Sequence, residues 1–157
     1  HCSPSKLSVR SGRTTVTDNI DLTETMGTLP KGFDNELGLQ MQTATADEVT
    51  ATFEIAPKLL QPWGIVHGGV YCSVVESVAS TSGQIWLHSK GITDSHVVGV
   101  NNSTDFLRAV STGTMTARSK PIHRGRRQQL WEVDITDQSG KLIAQGRVRL
   151  QNIAAEN

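Results

Sequence analysis

A short segment near the middle of the 157-residue chain contains residue types that could act on a carbonyl group. It reads Gln61-Pro-Trp-Gly-Ile-Val-His-Gly-Gly-Val70, and Glu76 and then Ser80 follow it. From Gly68 to about His88 the valines have the spacing of a buried helix face, which places the two glycines at a helix start. Because a helix N-terminus presents unpaired N–H groups and partial positive charge, a developing oxyanion could bind at the Gly68 N–H. A glycine pair could also serve only to relieve packing.

The predicted helix carries one carboxylate and several small polar residues opposite its valines. These residues are Ser73, Glu76, Ser77, Ser80 and Gln84. Glu76 and Ser80 are four positions apart and therefore share a face. A solvent-exposed face would explain such a stripe on most helices. The stripe here lacks mixed charges, and the single long helix of a one-sheet domain should be largely covered, so we interpret it as a candidate catalytic face.

The spacing between Gly68 and Glu76 limits how the two groups could act together. Eight positions separate them, or about 12 Å along a helix at about 1.5 Å per residue. One carbonyl group cannot contact both groups of a single chain. If both act, they must come from different subunits, which predicts a homodimer or a dimer of dimers with two equal sites.

The rest of the sequence predicts an α+β domain that follows a polar arm. Residues 1–30 are rich in Ser and Thr and predict a flexible or loosely docked arm, and residues 31–153 predict one domain. A short helical turn is expected at 33–39. Alternating apolar residues predict strands at 39–46, 49–55, 97–106, 113–122, 128–136 and 141–150, with a hairpin turn at 137–140. Antiparallel strands with one long helix must bury that helix against a sheet face.

These motifs resemble the active-site pattern of hotdog-fold thioesterases, in the branch of the phenylacetate-pathway and Arthrobacter-type 4-hydroxybenzoyl-CoA enzymes. The family has a Gln or Asn before a His-Gly-Gly turn, an acid eight residues after the first Gly, and a Thr or Ser one helical turn later. Three further segments are similar to family motifs, and the resemblance covers roughly residues 33–151. They are Asn101–Arg108, with Ala109 where the family has Pro, His123-Arg-Gly-Arg126, and Gly140–Ala144.

The resemblance implies a hotdog fold, in which an antiparallel sheet wraps around one long central helix, and hydrolysis of an acyl- or aroyl-CoA thioester. It implies that the Gly68 N–H polarises the thioester carbonyl and that Gln61 positions it. Glu76 would attack the carbonyl or activate water, and Ser80 would hold the water or intermediate. His67 would support the loop, although it could equally be a structural histidine that bonds nearby backbone.

A basic cluster has a natural use in such an enzyme. Coenzyme A carries phosphates, and the arginine side chain binds phosphate through paired donors. Candidate contacts are Arg108, His123, Arg124, Gly125 and Arg126, with Arg127 beside them. An ordinary solvated charge cluster at a strand end is the alternative. No metal and no separate cofactor are expected, because coenzyme A is part of the substrate.

Charge and cysteine content narrow the remaining possibilities. Fifteen basic residues balance fifteen acidic ones, which argues against nucleic acid or a membrane as the main partner. Two cysteines, Cys2 and Cys72, are too few for a disulfide framework, so we expect reduced thiols and a cytoplasmic protein. Two alternative functions stay open, which are a hotdog hydratase or dehydratase and a non-catalytic acyl-CoA-binding module.

Overall fold

A computed structural model describes residues 32–156 of the chain, so the predicted arm at residues 1–30 lies outside the described residues. The elements are α1 (Phe33–Leu37), β1 (Gln40–Ala44), β2 (Val49–Glu54), α2 (Gly68–Ser89), β3 (Ser95–Phe106), β4 (Thr114–Arg124), β5 (Gln128–Thr136) and β6 (Leu142–Ala154). A short 3₁₀ turn, Pro57–Leu59, follows β2. The six strands form one sheet in the order β1-β2-β4-β5-β6-β3, and every neighbouring pair is antiparallel. The predicted α+β class, with one long helix against an antiparallel sheet, is confirmed.

The predicted element boundaries differ from the observed ones where pairing or a turn overrides the local pattern. β6 continues four residues past the predicted Leu150 because it pairs with β3 as far as Ala154, opposite Ser95. β1 is shorter than predicted because Thr45 starts a turn in which its hydroxyl accepts the backbone N–H of Glu48. These differences move strand ends and leave the order of elements unchanged.

The hairpin turn between β5 and β6 was predicted correctly at Asp137–Gly140. The Asp137 carboxylate accepts hydrogen bonds from the Ser139 hydroxyl and the Lys141 backbone N–H. These bonds, first of all the one from Ser139, lower the pKa of the Asp137 carboxyl below its ordinary value. Gly140 completes the turn at φ +82°, a left-handed conformation that glycine adopts without strain.

The core lies between α2 and the inner face of the sheet. Val74, Val75 and Val78 of the helix are fully buried, as are Trp131 of β5 and Val148 of β6. Burial of each such side chain contributes roughly 1.5–3 kcal/mol or more. This packing confirms the valine face predicted from the sequence, and it fixes how α2 is rotated about its axis.

Strand β3 lies at the edge of the sheet and follows α2 for most of its length. Phe106 packs on Gly68 at the helix start, Gly99 and Asn102 contact Glu76, and the Ser95 carbonyl accepts the side-chain amide of Gln84. The two elements therefore run side by side in opposite directions. Within residues 32–156, no helix is long and apolar enough to cross a membrane.

Candidate active site

His67 caps the start of α2 and determines which backbone donor stays available. Its backbone is extended (φ −63°, ψ 131°), and its Nδ1 accepts the Gly69 N–H at 2.8 Å. The Val70 N–H donates to the His67 carbonyl at 2.9 Å. Among the described residues, the Gly68 N–H donates no hydrogen bond. His67 thus bonds nearby backbone, as expected for a structural histidine. The N–H of Gly68 is left as the free donor.

The Gly68 backbone lines a cavity of about 300 Å³ together with two other predicted site residues, Gln61 and Arg108. The Gln61 side-chain carbonyl accepts the Trp63 backbone N–H, which holds it within its own loop. The Phe106 ring lies so close to Gly68 that a Cβ atom there would be 2.3 Å from the ring edge. Glycine at position 68 therefore relieves packing against an aromatic ring, which is the alternative given for the glycine pair, and the predicted approach of a ligand stays a prediction.

Tyr71 also lines this cavity and was missed in the sequence. Its side chain is 2% exposed, and within the described part of the chain its hydroxyl has no hydrogen-bond partner. Burial raises the pKa of the Tyr71 hydroxyl above its ordinary value. The only sequence signal was its position three residues after Gly68, which puts both on one helix face. Within the apolar run of α2 that signal was hidden.

Glu76 lies two turns further along α2, against the inner face of β3. Its Oε2 accepts a hydrogen bond of 3.1 Å from Nδ2 of Asn102. Its Oε1 lies where a side chain of Gly99 would begin, since a Cβ atom built there would be 1.8 Å away. Glu76 as a whole residue is half-buried. Glu76 does not line the cavity at Gly68, so one chain keeps the two groups apart, as the helix spacing predicted.

The polar stripe of α2 divides into two rows with different neighbours. One row faces β3, where Gln84 accepts the Val97 N–H and donates to the Ser95 carbonyl. The other row faces away, and there the Ser77 hydroxyl donates to Asp34 of α1. Ser80 belongs to the row of Glu76 and Gln84 and is half-buried. Its hydroxyl has no hydrogen-bond partner among residues 32–156.

The predicted coenzyme A contacts at the end of β4 point to two different sides. Arg124 turns inward, where its guanidinium donates to the Ala46 carbonyl at 2.8 Å and pairs with Asp47 at 2.7 Å. It also lies 5.9 Å from the ring centroids of Trp86 and Trp131.

The remaining residues of the basic cluster stay together on the outer side. An open cavity of about 570 Å³ is lined by His123, Gly125, Arg126 and Arg127. Asn152 of β6 holds the backbone of this turn, because its Nδ2 donates to the carbonyls of Gly125 at 3.0 Å and Arg126 at 3.1 Å. Asn152 was not predicted, since nothing in the sequence connects it with a turn 26 residues earlier. Arg108 is not part of this group and lies at the Gly68 cavity.

No group of three or more His, Cys, Asp or Glu residues in the described range could hold a metal ion. The chemical groups that the site does offer are one free backbone donor, one carboxylate and an exposed basic turn. Such a set can polarise a carbonyl, deliver or activate a nucleophile, and bind phosphate.

Comparison with known proteins places these features in a family. Residues 64–144 match the family model described as the thioesterase superfamily. A Mycobacterium tuberculosis protein named as an esterase, Rv1847, is 53% identical over 123 residues, which span 78% of this chain and 87% of that protein. Its solved structure superposes with a TM-score of 0.75 and covers 80% of this chain and 98% of that one.

Two further relatives carry more specific names. An Escherichia coli 1,4-dihydroxy-2-naphthoyl-CoA hydrolase is 30% identical over 71% of this chain and 79% of its own length. The structure of the Haemophilus influenzae thioesterase HI1161 is 28% identical, with a TM-score of 0.80, and covers 90% of this chain and 96% of that one. The range matched by the family model, residues 64–144, contains the helix start and Glu76, and the two solved structures share the fold. The chain therefore belongs to the thioesterase superfamily of hotdog-fold thioester hydrolases.

Proposed function

We propose that the protein hydrolyses the thioester of an acyl- or aroyl-CoA to the free acid and coenzyme A. The observation that carries this proposal is the free N–H of Gly68, at the positive end of α2 and at the wall of a cavity. A backbone donor held in this way is pre-organised to stabilise the oxyanion that forms when a thioester carbonyl is attacked. Gln61 lines the same cavity and would help to position the carbonyl.

Glu76 supplies the second chemical group in this proposal. As a nucleophile, its carboxylate adds to the carbonyl carbon, the C–S bond breaks, and water then hydrolyses the resulting anhydride. As a general base, it removes a proton from a water molecule that attacks the same carbon. In either route the thiolate of coenzyme A leaves and takes up a proton. Ser80, one turn further along the helix, would hold the water or the intermediate.

Two copies of the chain are needed if both groups act on one carbonyl. Gly68 and Glu76 of one helix are about 12 Å apart, and Glu76 lies outside the cavity at Gly68. Strand β3 ends the sheet and exposes Val98 and Val100, which are 39% and 51% exposed. We infer that a second copy covers this edge and brings its Glu76 to the Gly68 cavity, as a homodimer or within a dimer of dimers.

Coenzyme A would extend from this shared site towards basic side chains. Arg108 lines the Gly68 cavity, and Arg126 with its neighbours forms the open basic turn. Apolar walls at Phe106 and Leu107 suit the acyl group. The name of the Escherichia coli relative, an aroyl-CoA hydrolase, supports an aromatic acyl group as one member of the substrate range.

A matched pair of variants at position 68 tests the oxyanion donor. Gly68→Pro removes the N–H and adds a Cβ atom against Phe106, and proline suits this first helical position because His67 already has the extended backbone that precedes proline. Gly68→Ala keeps the N–H and introduces the same crowding against Phe106. In an assay of thiol release from a panel of acyl-CoAs, kcat of the proline variant is expected to fall about 10²- to 10³-fold below that of the alanine variant. Equal kcat values would refute the role of this donor.

Mixing two inactive variants tests the shared site. A Gly68→Pro subunit retains Glu76, and a Glu76→Gln subunit retains the Gly68 N–H, so a mixed dimer contains one complete site. Random re-assortment should restore roughly a quarter of the wild-type activity. A site built within one chain would give no recovery, and light scattering on the same samples reports whether dimers formed.

A further inference from the structure

A β-bulge in β3 brings two residues to Glu76 that a regular strand would keep apart. Gly99 pairs with Leu150 and Asn101 pairs with Arg149, so Val100 is an extra residue without a partner on β6. In a regular strand, residues 99 and 102 would face opposite sides because their separation is odd. The extra residue shifts the alternation of side chains by one position, so that both Gly99 and Asn102 face the helix.

The side chain of Asn102 uses all of its hydrogen-bonding groups in one orientation. Its Nδ2 donates to Oε2 of Glu76 at 3.1 Å and to the Cys72 carbonyl at 3.0 Å. Its Oδ1 accepts the hydroxyl of Thr104 at 2.7 Å. Because the Glu76 carboxylate and the Cys72 carbonyl can only accept, they fix the Nδ2 end of the amide towards α2, and Thr104 then anchors the Oδ1 end. One carboxylate oxygen is therefore held, and within the described residues Oε1 has no donor.

Two glycines leave the space that this arrangement requires. A Cβ atom on Gly99 would lie 1.8 Å from Oε1 of Glu76. A Cβ atom on Gly146, which pairs with Thr104 across the sheet, would lie 2.3 Å from the Thr104 hydroxyl oxygen. Both glycines lack positive φ angles, so close approach and not backbone conformation requires glycine at these positions.

We propose that Asn102 and Thr104 are positioning residues for the Glu76 carboxylate. Asn102 fixes Oε2, and this directs Oε1 to the reacting carbon or water. Thr104 acts through Asn102 by anchoring its Oδ1 with a hydrogen bond. This inference rests on the proposed function, because it assumes that Glu76 acts in the reaction. A misdirected reacting group loses rate far more than affinity, since the substrate still fills the site.

The first test removes the donor to Glu76. Asn102→Ala is expected to lower kcat about 10- to 100-fold with little change in KM for acyl-CoA. Asn102→Asp should be worse than Asn102→Ala, because it sets a second carboxylate against the first. Asn35→Ala is the control, since Asn35 is an exposed residue of α1, away from β3, and has no side-chain hydrogen bond within residues 32–156. Its kcat should stay within about twofold of wild type.

The second test separates the hydroxyl of Thr104 from its volume. Thr104→Val keeps the shape and removes the donor, while Thr104→Ser keeps the donor and removes a methyl group. If Thr104 has a positioning role, kcat should fall several-fold in the valine variant and stay near wild type in the serine variant. A packing role predicts the opposite order, which would overturn the proposal even if Asn102→Ala did not fold.

Glu76→Gln, measured in parallel, distinguishes the two levels of failure. If Glu76→Gln loses activity while Asn102→Ala and Thr104→Val keep wild-type kcat, then only the positioning inference is wrong. If Glu76→Gln itself keeps wild-type kcat, then the proposed chemistry and the inference are both wrong.

Discussion

The charged side chains at Glu76 and at the basic turn that ends β4 differ in how they are bound by the rest of the fold. Glu76 is half-buried, and one of its oxygens is bound by Asn102 on the neighbouring strand. Arg126 and Arg127, in contrast, are exposed and line an open cavity, while Asn152 holds only the backbone of their turn. In the proposed reaction Glu76 has to meet one atom, and its carboxylate is bound directly. In the proposed phosphate contact the arginines can move with the phosphate, and only the backbone of their turn is bound.

Arg124 shows that the same short segment can contain both arrangements. It lies two residues before Arg126, yet its guanidinium is bound by Asp47 and the Ala46 carbonyl and stacks near two tryptophans. Its position in a basic cluster therefore says little about its role. What matters is whether the charged group already has partners in the folded chain.

The largest effect is expected from Glu76→Gln, which removes the charge and keeps the size. We expect kcat to fall about 10²-fold or more, because a lost general base or nucleophile costs at least that much. KM should change less, since the glutamine still fills the site. Steady-state thiol release, with circular dichroism to confirm folding, measures both.

Glu132→Gln is the matched control for Glu76→Gln. Glu132 of β5 is also a partly covered carboxylate with one partner, since Arg147 lies 3.3 Å away. Its neutralisation should leave kcat unchanged. A loss of kcat in both variants would indicate a general effect of removing a negative charge. The contrast between the bound carboxylate of Glu76 and the exposed arginines of the basic turn would then not explain activity.

An intermediate effect is expected from Arg124→Gln, and it should appear in stability. The substitution removes the contacts with Trp86 and Trp131 and the donor to the Ala46 carbonyl. We expect the free energy of unfolding to fall by about 1–2 kcal/mol. Denaturant unfolding measures this loss. A variant with wild-type stability and a raised KM for acyl-CoA would reverse our assignment and return Arg124 to the phosphate contacts.

The smallest effect is expected from Arg126→Gln, and it should appear in substrate affinity. We expect KM for an acyl-CoA to rise about fivefold, the scale of an exposed charge pair with phosphate. A short thioester of the same acyl group, without the nucleotide, should show no such change. Arg118→Gln is the control, because Arg118 is an exposed arginine on β4 that is already paired with Glu48. Equal changes with both substrates would leave the basic turn without a role in binding coenzyme A.

Those features that depend on local periodicity could be predicted from the sequence. The helix was predicted at Gly68–His88 and runs from Gly68 to Ser89, and β5 was predicted with its observed limits. The separation of Gly68 from Glu76 also followed from helix geometry alone. These predictions succeeded because a residue's face on a helix or strand is set by its position in the repeat.

The contacts of the site could not be predicted, because they depend on strand order and on breaks in the repeat. Asn102 meets Glu76 from 26 residues away, and only the placement of β3 at the sheet edge beside α2 brings them together. Arg124 turns inward because β4 has a register shift between Pro121 and His123. Neither a bulge nor the order of strands leaves a reliable mark in a single sequence.

At Val100, the presence of a residue in β3 matters more to Glu76 than the kind of side chain that it carries. Its side chain is half exposed in the single chain and makes no contact with Glu76, so its identity matters to a partner that covers this edge and not to the carboxylate. The deletion of this one residue, however, would shift one half of β3 out of phase with the other, so that Gly99 and Asn102 could no longer both face Glu76. During divergence among relatives, position 100 should accept other apolar residues, and this stretch should resist insertions or deletions. An alignment gap near position 100 would then be a better sign of altered chemistry than a substitution there.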